Sequence, residues 1–403
     1  MQSEYERQLD ARAAALATTC VHAGDAKDPG TGALDVPIVL SSAFGFASAD
    51  EAAAAFKGEN DAYIYGRWAN PTVEALEAKL AALEGTEAAC ATASGMAAVS
   101  GATLALCAQG EHIVAPRSMY AESARLLRER LPRLGIETTF VDATEPGAYE
   151  RALQPTTRLL YIETPANPNL AIADIRAIVA LARARGIATI ADNTFATPFA
   201  QNPCTLGVDV VVHSMTKALA GHGDVIAGCV CGNRETVARI RDVVVKGFGG
   251  VLSPLSAFLV ARGLRTFALR QRQQCASAAM LASRLATHPR VAVVHHPSLP
   301  SHPGHALARE QMHAFGALLS FELGGPGAID AGKRVLEGVR TITHAVSLGD
   351  VRSLLVHPAS TTHSTMPPEA RAAANITDGL LRLSVGIESA EDLWNDLEGA
   401  LAK

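Results

Sequence analysis

The run His213-Ser214-Met215-Thr216-Lys217 follows an apolar stretch, Val208-Asp209-Val210-Val211-Val212, and sets two hydroxyls and an amine at its end. A lysine held at a strand tip with its amine in a cleft loses solvation, which lowers its pKa and fits it to act as a Schiff-base nucleophile. Ser214 and Thr216 beside it suit a phosphate that would fix a cofactor against that amine. Three further segments carry complementary chemistry. Ala191-Asp192-Asn193-Thr194 ends a second apolar strand on a carboxylate, and a buried Asp needs a partner such as a protonated ring nitrogen. Thr92-Ala93-Ser94-Gly95-Met96-Ala97-Ala98 is a small-residue turn opening a helix, whose free N–H groups suit an anion. Tyr161-Ile162-Glu163-Thr164-Pro165-Ala166-Asn167-Pro168 runs from a strand into a proline-stiffened loop that fixes Asn167 near the same edge.

The elements that must position these groups are legible around them. Asn70 is a good N-cap, Pro71 suits the first helical position, and Val73, Leu76, Leu80 and Leu83 recur at helical spacing up to Gly85. Beyond it, 111–116, 158–165, 188–195, 208–214 and 225–232 read as strands, with helices such as ESARLLRERLPRLG and ADIRAIVALARARG between them. That alternation, with near-continuous apolar strands, implies an α/β fold with a mainly parallel sheet covered on both faces. Ligands of such sheets bind at the carboxyl ends of the strands, where Lys217 and Asp192 lie. After about residue 255 one long helical stretch (SPLSAFLVARGLRTFALRQRQQCASAAMLASRLATH) leads through a Pro/His-rich loop. GALLSFELGG, ITHAVSLG and LLRLSVGI follow as strands and AEDLWNDLEGALAK as a closing helix. The expected organisation is an N-terminal arm at 1–60 that packs on another subunit, a large domain at 61–255 and a smaller α+β domain at 256–403.

Composition narrows the function classes. The chain has 403 residues, 48% hydrophobic and 19% charged, which excludes global disorder. A net charge of −5 leaves no electrostatic footprint for nucleic acid. No apolar stretch reaches the ~18–20 residues of a membrane span, and the charged N-terminus lacks the apolar region of a signal peptide. A cytoplasmic protein is expected. Seven cysteines, an odd number with no C-x-x-C pair, read as buried thiols. His213, His222 and Asp224, and the loop histidines His295, His296, His302 and His305, lack recognised metal-ligand spacing, so no metal is expected.

Taken together, VHAG, YIYGRWANPTVEALE, ASGMAA, ETPANP, DNTFATP, HSMTK, GHGD, SLGD, HPASTTHS and RLSVGIE occur in an order that resembles the Cys/Met-metabolism family of pyridoxal-phosphate enzymes over nearly the whole chain. The resemblance implies the type I PLP-dependent fold, with a mainly parallel seven-stranded sheet, and pyridoxal 5′-phosphate as cofactor. Lys217 would hold it as a Schiff base and later act as general base at the substrate α-carbon. Asp192 would pair with the pyridine nitrogen. Gly95, Met96, Ser214 and Thr216 would hold the phosphate, with Tyr65 and Arg67 reaching it from a neighbouring subunit. Tyr120 would stack on the ring and act in proton transfer, and Asn167 would lie beside the ring hydroxyl. Arg382 would clamp the α-carboxylate of an amino-acid substrate, helped by Ser347. The family resemblance also favours a homotetramer built from active-site-sharing dimers.

Within the family, THAVSLGDVRSLLVHPASTTHS is most similar to the methionine γ-lyase branch, implying γ-elimination on L-methionine to 2-oxobutyrate, ammonia and methanethiol. Val346 stands where cystathionine-handling lyases typically carry Glu, which favours a short apolar substrate end. The departures are Tyr120-Ala121-Glu122-Ser123, where the branch often has Tyr-Gly-Cys-Thr, Lys246-Gly247-Phe248, where it tends to have Lys-Asp, and Ala218 after the lysine in place of Tyr. One expectation is that Glu122 pairs with Lys246 near the substrate. The alternatives are γ-replacement on O-acetyl- or O-succinylhomoserine, as in sulfhydrylases and cystathionine γ-synthase, and cystathionine γ-lyase activity.

Overall fold

Asn70 starts the helix that the sequence predicts: its Oδ1 accepts from Thr72 N at 3.0 Å and Val73 N at 3.3 Å, and Gly85 stops the helix in the left-handed region at φ 70°. The structure, a computed structural model, describes residues 3–402 apart from 326, 363, 365–368, 370 and 372–374. His363, in the HPASTTHS run, therefore lies outside the described residues. Four helices matter for the site: α1 (Glu4–His22), α2 (Ala49–Lys57), α3 (Pro71–Glu84) and α4 (Gly95–Leu106). In α3 the periodic Val73, Leu76, Leu80 and Leu83 are all buried, each contributing about 1.5–3 kcal/mol where burial is complete.

The larger sheet has seven strands, β1 (Ala88–Thr92), β2 (His112–Pro116), β3 (Glu137–Val141), β4 (Thr157–Glu163), β5 (Ala188–Asp192), β6 (Val210–Ser214) and β7 (Gly228–Gly232). Their order is β1-β7-β6-β5-β4-β2-β3, and β7 alone runs against its neighbours. This is the mainly parallel seven-stranded sheet that the family resemblance implied. The two apolar faces are sorted by strand alternation: Ile190, Val210, Val212 and Val230 pack on one side with α4, and Ala191, Val211, Cys229 and Cys231 on the other. Along the carboxyl ends of β4, β5 and β6 stand Glu163, Asp192 and Ser214. The seven cysteines are all free.

A second, five-stranded sheet consists of β8 (Val291–His295), β9 (Leu318–Leu323), β10 (Thr343–His344), β11 (Leu354–Val356) and β12 (Leu380–Ser384), in the order β10-β11-β12-β9-β8. Only β10 and β11 pair parallel. The stretch read as one long helix is two, Pro254–Leu264 and Phe267–Leu285. At the break Gly263 backs onto the Ala220 carbonyl so closely that a Cβ would lie 2.3 Å from its oxygen. Helix α1 packs Leu9, Leu16 and Cys20 into the core of its own chain, with Asp10 paired to Arg272 at 2.7 Å. Beyond it, Leu34 and Leu40 are exposed. No helix among the described residues is long and apolar enough to cross a membrane.

Candidate active site

At the carboxyl edge of the large sheet a cavity of about 300 Å³ is lined by Gly95, Met96, Tyr120, Asn167, Asp192, Ser214, Thr216, Lys217, Val346 and Arg382, among others. The Lys217 amine donates to Ser347 Oγ at 3.0 Å, and burial, then the nearby Arg382 charge, pull its pKa down. A lysine in that setting has more of the neutral, nucleophilic amine at a given pH.

The anion cradle is built by α4. Ser94 caps the helix, its Oγ accepting from Ala97 N at 3.1 Å, and leaves the Gly95 and Met96 N–H groups in the unsatisfied first turn. Gly95 is required by close approach: a Cβ there would meet Ser214 Cβ at 2.7 Å. Gly228, opposite, would drive a Cβ to 2.2 Å from the Ser94 carbonyl oxygen. Thr216 Oγ1 is held by the turn into β7, accepting from Ala227 N at 3.0 Å. Asp192 ends β5 with Oδ1 accepting from Thr194 N at 3.0 Å. Burial raises its pKa, against the pull of Thr194 and of the His213 charge, so a cationic partner inside the cavity would stabilise its ionised form.

Arg382 is 5% exposed and faces no carboxylate among the salt bridges of the described residues. Nη1 donates to Asn167 Oδ1 at 2.8 Å, Nη2 to the Ser347 carbonyl at 3.3 Å, and Nε has no partner. Burial pushes this guanidinium down to about 10. A buried cation with an open donor is a site for a carboxylate.

Glu163 was not singled out from the sequence, although it lies in the quoted ETPANP run. Its two oxygens accept from Tyr120 N at 2.9 Å and Asn167 N at 3.1 Å, tying the aromatic wall to the arginine side of the cavity. Phe195, also unforeseen, lies under Arg382 with its ring centre 5.9 Å from the guanidinium carbon. Neither role has a local sequence signal, because both depend on which strand ends become neighbours.

Five of the sequence-predicted residues do not line this cavity, although one of them, Ser347, reaches it by accepting from the Lys217 amine. Tyr65 is exposed, with Arg67 above its ring at 5.8 Å, and Arg67 donates to the Lys246 carbonyl. Glu122 approaches Arg125 at 3.9 Å, and Lys246 pairs with Asp242 at 3.6 Å. The Glu122–Lys246 pair is thus not formed within the chain; local helical partners at i,i+3 and i,i+4 win. Among the described residues no group of three His, Cys, Asp or Glu is gathered as a metal centre requires. His213 is bound to Glu84, and His295 to Glu322.

The donor set fits a flat, phosphorylated aldehyde with a basic ring nitrogen: amine, anion cradle, buried carboxylate and aromatic wall surround one space. Comparison with known proteins points the same way. The family model described as "Cys/Met metabolism PLP-dependent enzyme" matches residues 17–402. An L-methionine gamma-lyase of Fusobacterium nucleatum subsp. polymorphum is 46% identical over 390 residues, covering 96% of this chain and 98% of that one. A cystathionine gamma synthase from Xanthomonas oryzae pv. oryzae, solved with cystathionine, superposes with a TM-score of 0.90 at 42% identity over 96% of this chain and 97% of that one. A Campylobacter jejuni structure containing N′-pyridoxyl-lysine-5′-monophosphate gives a TM-score of 0.91 at 31% identity, over 96% and 99% of the two chains. The chain therefore belongs to the Cys/Met metabolism family of PLP-dependent enzymes, and its cofactor is pyridoxal 5′-phosphate.

Proposed function

We propose that this enzyme is a carbon–sulfur lyase that eliminates the γ-substituent of L-methionine, giving 2-oxobutyrate, ammonia and methanethiol. The observation that carries this reading is the substrate end of the cavity. Its charged lining residues are Glu163, Asp192, Lys217 and Arg382, and Glu163 is already committed to two backbone N–H groups. Beside hydroxyl-bearing residues such as Ser123 and Thr362, the lining includes the apolar Ile226, Val346, Leu348 and Phe195, which suit a thioether methyl, and it offers no further charge.

In this reading Lys217 holds the cofactor, Asp192 faces its ring nitrogen, and Gly95, Met96, Ser214 and Thr216 receive its phosphate. Asn167 lies beside its ring hydroxyl. When bound, the cofactor supplies an electron sink for charge developing at the substrate α-carbon. Arg382 and Ser347 would hold the α-carboxylate, which fixes the α-hydrogen within reach of the Lys217 amine. Once the substrate's own amine has displaced it, the Lys217 amine would remove the α-hydrogen as a general base, and loss of a β-hydrogen next would let the γ-carbon–sulfur bond break. The Tyr120 phenol, whose pKa is raised by burial and then by Glu122, keeps its proton and can deliver it to the departing sulfur. Tyr65 and Arg67 serve the phosphate of a second copy, so the active unit is a dimer, paired into a tetramer in the cytoplasm. The division into an arm at 1–60, a cofactor domain at 61–255 and a C-terminal domain at 256–403 belongs to the same reading. Glu122 and Lys246 would bear on substrate only from such a neighbouring copy.

A second reading, γ-replacement or cystathionine cleavage, is favoured by one feature. A neighbouring cavity of about 470 Å³ shares Thr216 and Ile226 with the first and carries Asp224 and Arg352, which suit a distal amino-acid head group. Incubation with methionine alone, and with acylhomoserines with and without sulfide or cysteine, separates the two. Turnover that requires both an acylhomoserine and a thiol would overturn the lyase reading.

A further inference from the structure

Behind the sheet, on the face away from the cavity, one carboxylate gathers the ends of two strands. Glu84 closes α3 and is 1% exposed. Its Oε1 accepts from His213 Nε2 at 2.5 Å and from Asn193 Nδ2 at 3.0 Å, and its Oε2 from Asn202 Nδ2 at 3.3 Å. Asn193 directly follows Asp192, and His213 directly precedes Ser214. Strand alternation explains the arrangement: Asp192 and Val212 are cross-strand partners and share a face, so His213 points to the other. The net extends to the residue after β4, because Asn193 Nδ2 also donates to the Gln201 carbonyl at 2.9 Å and Gln201 Nε2 to the Thr164 carbonyl at 3.1 Å. Arg12 on α1 completes it, donating to Asn202 Oδ1 at 2.6 Å.

A buried ion pair adds little net stability over a well-packed apolar replacement, but it fixes geometry. None of these side chains lines the cavity, yet the net fastens the residues adjoining two cavity groups. We propose that Glu84 is a positioning residue for the cofactor: by holding Asn193 and His213 from behind, it keeps Asp192 and Ser214 in the one frame that the ring nitrogen and the phosphate need. This rests on the assignment of Asp192 and Ser214 to the cofactor made above. His213 is the titratable partner, and the pair is ionic when its ring is protonated. Burial alone would lower its pKa, but the hydrogen bond and charge of Glu84 outweigh this and raise it. Besides Glu84 from α3, the titratable groups acting on it are Cys229, its cross-strand partner on β7, and, from the other face of the sheet, Asp192 at the end of β5.

The test is titration of the apoenzymes with pyridoxal 5′-phosphate, read by absorbance near ~420 nm and by melting temperature. Glu84→Gln and His213→Leu are expected to weaken cofactor binding by about tenfold or more. His213→Gln, which can present an N–H where Nε2 stands, is expected to stay within about threefold of the parent. If Glu84→Gln does not fold, the two His213 variants decide. Parent-like affinity in Glu84→Gln or His213→Leu, whatever happens to the melting temperature, would overturn the proposal and show a structural role only. Failure of the parent apoenzyme itself to take up the cofactor would overturn the site assignment, and this proposal with it.

Discussion

Arg382 and Asn167 are joined by a hydrogen bond of 2.8 Å from Nη1 to Oδ1, so the cation proposed for the substrate carboxylate is aligned by the residue proposed to lie beside the cofactor ring. The same guanidinium keeps Nε unpartnered. Arg382→Lys retains a positive charge but not the planar fork. It should raise KM for the amino-acid substrate about 10- to 100-fold, as expected when hydrogen bonds to a charged group are lost. Steady-state kinetics check this; an unchanged KM would remove Arg382 from carboxylate binding.

Lys217 combines a pKa pulled down by burial with a place in the lining of the same cavity as Asp192. Lys217→Ala should leave no cofactor trapped covalently by borohydride and no measurable turnover. Mass spectrometry of reduced parent and variant provides the readout, and a trapped adduct on another lysine would contradict the assignment.

Much of this site was legible because its main segments are local. HSMTK and ADN place their groups at strand ends by alternation alone, and Asn70, Pro71 and Gly85 announce α3 through capping chemistry that needs no tertiary contact. Other parts were hidden. The α2 helix falls in the segment read only as an arm, and β1 and β3 are short strands without a strong pattern. ITHAVSLG reads as one strand, but only Thr343–His344 pairs, leaving Val346 and Leu348 in a loop that lines the cavity. ESARLLRERLPRLG reads as one helix but changes pitch through 126–130 and again at 131–134, where Pro132 cannot supply a helical N–H. Glu163 and Glu84 resemble ordinary surface acids in sequence; only the meeting of distant strand ends gives them their partners.

The Glu84–His213 pair carries a pH signature. His213 gains its partner on folding, so its folded pKa lies above the usual ~6.5 of an unfolded histidine. Its contribution to stability is therefore fully present below about pH 6.5 and lost as pH rises through the folded value. Urea midpoints of the apoenzyme measured from about pH 6 to about pH 9 should show this decline, and Glu84→Gln should flatten it. An equal slope in both proteins would show that another group titrates.

Val346 is 62% exposed on the cavity wall, where a longer substrate would emerge. Val346→Glu would offer a carboxylate to a distal ammonium and a desolvation penalty to a thioether. The ratio of kcat/KM for cystathionine over methionine should rise about tenfold or more. A constant ratio would remove this position from specificity.

The lyase reading meets its most direct test in the products formed from L-methionine alone. Purified enzyme supplied with pyridoxal 5′-phosphate should release 2-oxobutyrate and methanethiol in equal amounts, without any added thiol. Absence of both products, with turnover of an acylhomoserine only when a thiol is supplied, would contradict it.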